Sequence, residues 1–183
     1  MAGAHLDSVH AGHGINDNAS GVATLLEVAD ALGPHPRGRI RLAFWAAEEL
    51  GLVGSRHYVR TLPRERRKQI AAYVNLDMVG SPNAVPSVYS DADERLTRVL
   101  RRAHPGREAG VPAEGRSDHG PFADAGIAVG GFYTGAQERG PGGRPRDPCY
   151  HLPCDRLANV NRRVLLRMAR ATAAALREIE DEP

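Results

Sequence analysis

An α/β sandwich with a mostly parallel central sheet is the fold this sequence predicts. Segments with helical spacing alternate with short apolar strands along all 183 residues, the pattern of layered α/β domains. One run, IAAYVNLDMV (Ile70–Val79), is almost continuously apolar, as befits a strand buried on both faces. No internal repeat, low-complexity tract or dividing linker interrupts this order, so one domain is expected, long enough for a real core.

The elements follow in sequence order. Strand-like residues open the chain and end at His5 and Asp7. NDNASGVATLLEVADALG begins with capping residues and continues with apolar residues at helical spacing, predicting a helix from about Asn18 to Leu32 that Gly33 and Pro34 stop. RIRLAFWA, Arg39 to Ala46, reads as a strand with a buried end. LGLVGSRHYVRTL returns to helix, interrupted by Gly54 and ended by Pro63. Ile70–Val79 is the central strand and PSVYS a short one, followed by the amphipathic helix DADERLTRVLRRAH with Asp91 as its cap. Beyond a Gly/Pro-rich loop, DHGPFADAG predicts a short helix and IAVGGFYT a strand. The loop from Gly135 to Arg146 is rich in Gly and Pro and is expected to be mobile. NVNRRVLLRMARATAAALREIE closes the chain as one long helix.

Composition excludes several functions. Hydrophobic residues are 42% and charged residues 25%, an ordinary soluble globular balance. No apolar stretch approaches the roughly 18 residues of a membrane span. A net charge of +2, from 24 basic against 22 acidic residues, gives no reason to expect nucleic acid or anionic lipid as a partner. Lys68 is the only lysine, which points to codon bias more than to function. MAGAHLDSV has neither a basic nor an apolar leader region, so no signal peptide is expected. Cys149 and Cys154, five apart in DPCYHLPCD, either close a small disulfide loop or stand as free thiols. They cannot by themselves make a four-thiolate zinc site. The disulfide, and with it an oxidising compartment, is the favoured reading, at odds with the missing signal.

AFWAAEEL, residues 43 to 50, sets two carboxylates side by side where an apolar strand ends. Neighbouring strand residues face opposite ways, and a bare buried carboxylate is costly unless paired, hydrogen-bonded or bound to a metal. Ligands of such sheets collect at the carboxyl ends of strands. There the sequence gathers His5 and Asp7, then Glu48 and Glu49, then Asp77, with Asp17 before the first helix and His151 before the last. Singly, each has a bland explanation as a cap, a turn residue or a solvated loop histidine. Together they form a mixed His/carboxylate set that suits zinc or a similar divalent cation. There is no HExxH helix, GxSxG elbow, P-loop or complete dinucleotide fingerprint.

GAHLDSV, GINDNASGVATLLE, AFWAAEELGLVGSRHYV, NLDMVGSPN, GRSDHGPFADAGI, VGGFYTGA and DPCYHLPCD occur in this order. From about Gly3 to Asn161 the chain resembles the two-zinc aminopeptidases of the aminopeptidase Y / aminopeptidase S type, especially secreted bacterial leucyl aminopeptidases. The resemblance implies a three-layer α/β/α sandwich of the zinc-exopeptidase type, and two zinc ions (Zn2+) per chain. Asp17 would bridge the ions, His5 and Asp77 completing one site, Glu49 and His151 the other. Glu48 is left off the metal as general base, which answers the question AFWAAEEL poses: one acid holds metal, the other works on water. Two cations about 3.5–4 Å apart can polarise a scissile carbonyl and activate a shared water.

Further roles follow from the same resemblance. Asp7 would fix the orientation of the His5 imidazole. Tyr150 would donate a hydrogen bond to the developing oxyanion. Arg116 would lie near the substrate's carboxylate end, and Tyr133 and Phe132 would line an apolar specificity pocket. Glu48 and Asp77 are candidates to hold the free α-amine. Asp118 and His119 read as structural, His119 being the spare ligand should His151 fail, and His10 and His13 as solvated. The Cys149–Cys154 pair resembles a family disulfide clamping the loop that carries Tyr150 and His151. The implied activity is release of large apolar N-terminal residues such as leucine from peptides with a free N-terminus, in a secreted enzyme. Relatives carry a substantial segment before HLDS, so an N-terminally truncated catalytic domain with an exposed sheet edge is expected. The alternatives are an inactive or vestigial zinc-binding fragment and a single-zinc acyltransferase of the glutaminyl-cyclase type.

Overall fold

The computed structural model describes residues 1–33, 40–91, 93–104, 111–112 and 115–181. The helix stop expected at Pro34, the strand start at Arg39, and residues 105–110 and 113–114 of the Gly/Pro-rich loop lie outside the described residues.

Among the described residues six strands form one sheet in the order β2-β1-β3-β6-β4-β5. They are β1 (Ala2–His5), β2 (Leu42–Trp45), β3 (Ala72–Leu76), β4 (Ser87–Ser90), β5 (Val111–Pro112) and β6 (Ala128–Tyr133). β1, β2, β3 and β6 run parallel, and β4 is antiparallel to β6. The apolar run of β3 sits in the middle because both its faces are covered. Ala72, Val74 and Leu76 face a core built with α1 (Ser20–Leu32), α4 (Glu94–Ala103) and α6 (Arg162–Asp181). Tyr73, between them, faces the other layer, made by α2 (Val53–Thr61) and α5 (Gly120–Asp124). The result is the expected three-layer α/β/α sandwich with a mixed, mostly parallel sheet. β2 is an edge strand, and Phe44 on it is exposed.

The second layer rests on aromatic packing. Phe122 is fully buried and stacks on Tyr73 with ring centroids 4.0 Å apart, while Trp45 closes the cluster at 5.9 Å. Phe122→Ala is expected to cost about 3–5 kcal/mol. For a domain of this size that is a fall in Tm of roughly 6–20 °C, to be read by thermal circular dichroism. A fall of less than roughly 3 °C would show that α5 collapses onto the gap.

Local differences from the sequence reading have local causes. α2 starts at Val53, and Gly54 does not interrupt it: a Cβ there would lie 2.5 Å from the carbonyl oxygen of Ala46, so glycine allows the helix to seat against β2's end. Pro63 both ends α2 and opens a short helix, α3 (Arg64–Arg67). The cap of α4 is Asp93, whose carboxylate accepts the Leu96 N–H at 2.6 Å, and not Asp91. Asp91 instead accepts N–H groups of Asp93 and Val129, tying α4 to β6. β5, two residues long, carries no periodicity that a sequence could show. The Gly135–Arg146 loop is braced at both ends, with Ala136 accepting from Asp147 N–H and Arg146 pairing its backbone with Glu138 and Asn83.

Candidate metal centre

The sheet delivers the predicted side chains to one place. His5 ends β1 and is buried. Asp77 directly follows β3, and Met78 after it has φ +53°, turning the chain away so that the carboxylate points over the strand ends. Glu48 and Glu49 follow β2 through Ala47, which sits in the left-handed region at φ +59°. That turn breaks the strand alternation, and both acids line one cavity. Asp7 fixes the turn: its carboxylate accepts the N–H groups of Glu48 and Glu49 at 3.0 and 3.1 Å. The His5 imidazole is met by Asp7 twice, its main-chain carbonyl 3.0 Å and its Oδ1 3.6 Å from Nδ1, so Asp7 braces the ring while its carboxylate holds the Glu48–Glu49 turn.

Asp17 lies in an irregular turn, residues 15–19, whose Asp17–Asn18 peptide is cis. The Asp155 carboxylate accepts the N–H groups of Asn16 and Asp17 at 2.8 and 3.0 Å. His151, at φ +58°, lies inside the loop closed by a Cys149–Cys154 disulfide. Asp147 accepts the Cys149 N–H and the Asn159 amide, pinning that loop to the residues before α6.

Among the described residues two three-donor clusters result: His5, Asp17 and Asp77, and Asp17, Glu49 and His151. His5 Nε2 lies 3.2 Å from Asp17 Oδ1 and 3.5 Å from Asp77 Oδ1. His151 Nε2 lies 3.1 Å from Asp17 Oδ2 and 3.1 Å from Glu49 Oε2. A tetrahedral ion with bonds of about 2.0–2.1 Å requires donors about 3.3 Å apart, so the spacings fit zinc. Asp17 offers one oxygen to each cluster. His5 Nε2 and Glu49 Oε1 are buried and have no hydrogen-bond partner among the described residues, as atoms meant for a ligand would be.

Electrostatics agree with this fit. Burial opposes charge on His5, but Asp77 and Asp17 outweigh it and push its pKa up to about 12. Burial, with Asp77 and Glu49 adding repulsion and His5 partly offsetting, raises Asp17 to about 6. A divalent cation would replace the protons that this crowd of acids otherwise holds.

Residues 1–176 match the model of peptidase family M28. The chain belongs to that family. It is 44% identical over 195 residues to leupeptin-inactivating enzyme 1 of Streptomyces exfoliatus, covering 96% of this chain and 44% of that one. Aminopeptidase Y of Saccharomyces cerevisiae is 38% identical over 171 residues, covering 87% and 32%. The structure of BSAP, a zinc aminopeptidase from Bacillus subtilis, superposes with a TM-score of 0.81 at 31% identity, covering 97% and 45%. The chain thus spans less than half the length of these relatives.

In this M28 chain the clusters open into a cavity of about 370 Å3 that Glu48, Tyr150, Arg116 and Tyr133 also line. Burial, then Asp77, pushes Glu48 up to about 8. Tyr150 stacks on the His151 ring, and its hydroxyl is held protonated by burial and by the nearby acids. Phe132 does not line the cavity: it is fully buried in the core with α4 and α6, because β6 alternation turns Tyr133 toward the site and Phe132 away. His119 belongs to neither cluster, and His10 and His13 are exposed. None of the described helices is long and apolar enough to cross a membrane.

Sequence reasoning missed Asp155, Asp147 and a buried relay behind Asp77. Trp45 Nε1 donates to Tyr73 Oη at 2.8 Å, Tyr73 to Asn75 Oδ1 at 3.0 Å, Asn75 Nδ2 to Ser117 Oγ at 2.9 Å, and Ser117 to Asp77 Oδ2 at 2.7 Å. Gly3 makes room for it, since a Cβ there would fall 2.2 Å from the Tyr73 oxygen. The alternation of Tyr73 and Asn75 with apolar residues in β3 was the available signal.

Proposed function

We propose that the chain is the catalytic domain, or the metal-binding part of it, of a zinc aminopeptidase that releases large apolar N-terminal residues such as leucine. The observation that carries this is two donor clusters sharing Asp17, with an acid in the same cavity that joins neither, Glu48. His5, Asp17 and Asp77 would hold one zinc, and Asp17, Glu49 and His151 the other. When bound, the pair of ions would supply Lewis acidity toward the scissile carbonyl and make water available as a nucleophile near neutral pH. Glu48 acts as the base that takes a proton from the attacking water and returns it to the leaving amine. Tyr150 donates its hydroxyl hydrogen to the oxygen that gains charge. Glu48 and Asp77 accept from the α-ammonium, which accounts for a requirement for a free N-terminus. Tyr133 lines the pocket for the first side chain, and Arg116, at the cavity rim, faces the carboxylate end of a short substrate. The Cys149–Cys154 disulfide fits an oxidising, extracellular setting.

A zinc titration of the metal-stripped chain, following leucine p-nitroanilide hydrolysis and thermal unfolding together, tests this. Activity should saturate at two zinc per chain. Saturation at one zinc without hydrolysis would favour a cyclase-type acyltransferase, and a folded, zinc-loaded but inert chain would reduce it to a binding fragment.

A further inference from the structure

We propose that a second cavity, at the end of the sheet opposite the metal centre, binds the zwitterion of an apolar amino acid or short peptide. It measures about 840 Å3 and lies at the amino ends of β3 and β6. Ile70 and Ile127, which stand just before those strands, give it an apolar floor. β3 runs from this cavity to Asp77, so about 20 Å of extended chain separate it from the donor clusters.

Its lining carries both signs of charge. Arg64 and Arg67 of α3 supply one, and Asp91 and Asp93, between β4 and α4, the other. Among the described residues neither guanidinium is paired with a carboxylate, and Arg67 Nε is buried without a hydrogen-bond partner. Lys68, the remaining cation of the lining, is held by Glu65 at 3.1 Å. The two acids are anchored from behind. Asp91 accepts the N–H groups of Asp93 and Val129, each at 3.1 Å, and Asp93 Oδ1 accepts that of Leu96. These bonds keep the acids from swinging across to the arginines. A carboxylate has about four acceptor positions, so each acid retains capacity for a further donor.

Opposite charges that share a cavity without pairing form a receptor for a molecule that carries both. A terminal carboxylate meets the guanidinium forks of Arg64 and Arg67, whose geometry suits it. An ammonium donates to Asp91 or Asp93, and an apolar side chain covers Ile70 and Ile127. A plain anion meets repulsion from the acids, and a plain cation from the arginines. The volume falls within the range of about 300–1,000 Å3 for small-molecule sites, which admits a free amino acid or a peptide of a few residues. The class follows from the lining and holds whether or not the metal centre is that of an aminopeptidase.

The test is amide NMR of the full, zinc-loaded chain carrying Glu48→Gln, so that peptides are not consumed, titrated with L-leucine, trileucine, L-leucinamide and N-acetyl-L-leucine. Leucine or trileucine should shift the amides of residues 68–71 and 125–129 saturably, and the tighter of the two tells whether amino acid or peptide is the ligand. Leucinamide, which lacks the carboxylate, and N-acetyl-leucine, which lacks the ammonium, should each bind there at least about tenfold more weakly. Replacing Arg64 and Arg67 together by Met should remove these shifts and leave any around His5 and Asp77 in place. Asp93→Asn, which keeps a capping residue for α4, should weaken leucine and not N-acetyl-leucine. No shift at residues 68–71 and 125–129 with either zwitterion, or N-acetyl-leucine binding there as tightly as leucine, overturns the proposal. The four ligands on one chain decide this even if the arginine variant fails to fold, and the aminopeptidase reading stands or falls separately, by the zinc titration.

Discussion

Glu48→Gln is expected to leave zinc bound and to lower kcat on leucine p-nitroanilide about a hundredfold to ten-thousandfold, the usual contribution of a positioned general base. The structural reason is the division of labour within one dipeptide. Glu49 Oε2 lies 3.1 Å from His151 Nε2 inside a donor cluster, whereas Glu48 lines the cavity without joining either cluster. Both backbone N–H groups are gripped by the Asp7 carboxylate, so exchanging one carboxyl oxygen of Glu48 for an amide leaves the turn intact. KM should rise by far less than kcat falls, because Asp77 shares the contact with the α-ammonium whereas Glu48 alone acts on the reacting proton. Metal content by mass spectrometry and steady-state rates, taken on the same preparation, check this. Zinc falling from two to one in Glu48→Gln would assign the ligand role to Glu48 and the base to Glu49.

Asp17→Ala should do the opposite: metal binding collapses while the metal-free chain still folds. Asp17 is the one residue common to both clusters, with one oxygen 3.2 Å from His5 Nε2 and the other 3.1 Å from His151 Nε2. The turn that carries it is held through backbone N–H groups donated to Asp155, and those contacts do not involve the Asp17 side chain. Removing the carboxylate relieves crowding with Asp77 and Glu49 but also takes a partner from the His5 and His151 rings, so the metal-free form should fold with a Tm near the parent's. Thermal unfolding with and without zinc reads both effects. The parent should rise in Tm with zinc, as a ligand that binds only the folded state requires, and Asp17→Ala should lose most of that rise. Two zinc ions still bound tightly in Asp17→Ala would refute the shared bridge.

The alternation of apolar strands with amphipathic helices was enough for the layered fold, because strands buried on both faces cannot be polar and their covering helices must be polar on one side. It also placed His5, Asp7, Glu48, Glu49 and Asp77 at strand ends, where side chains of distant segments meet. Helix caps were less legible: Asp91 and Asp93 are equally good by type, and only the position of β6 assigned the cap to Asp93 and the bracing role to Asp91. Phe132 and Tyr133 were indistinguishable as aromatic pocket residues until the pleat of β6 sent one into the core. The short β5 and α3 have too few residues to carry a period.

What the sequence determined by itself is the fold class, the family motifs and the chemistry of the donor set, since these depend on residue type and on local spacing. What only the tertiary structure decided is how those donors are shared and held. Asp17, 12 residues beyond β1, reaches both His5 and His151 only because Asp155 at the far end of the chain fixes its turn. The two adjacent acids face one cavity only because Ala47 takes a left-handed conformation against Asp7. Such contacts join segments up to 139 residues apart, and no local pattern encodes the geometry that long-range packing imposes.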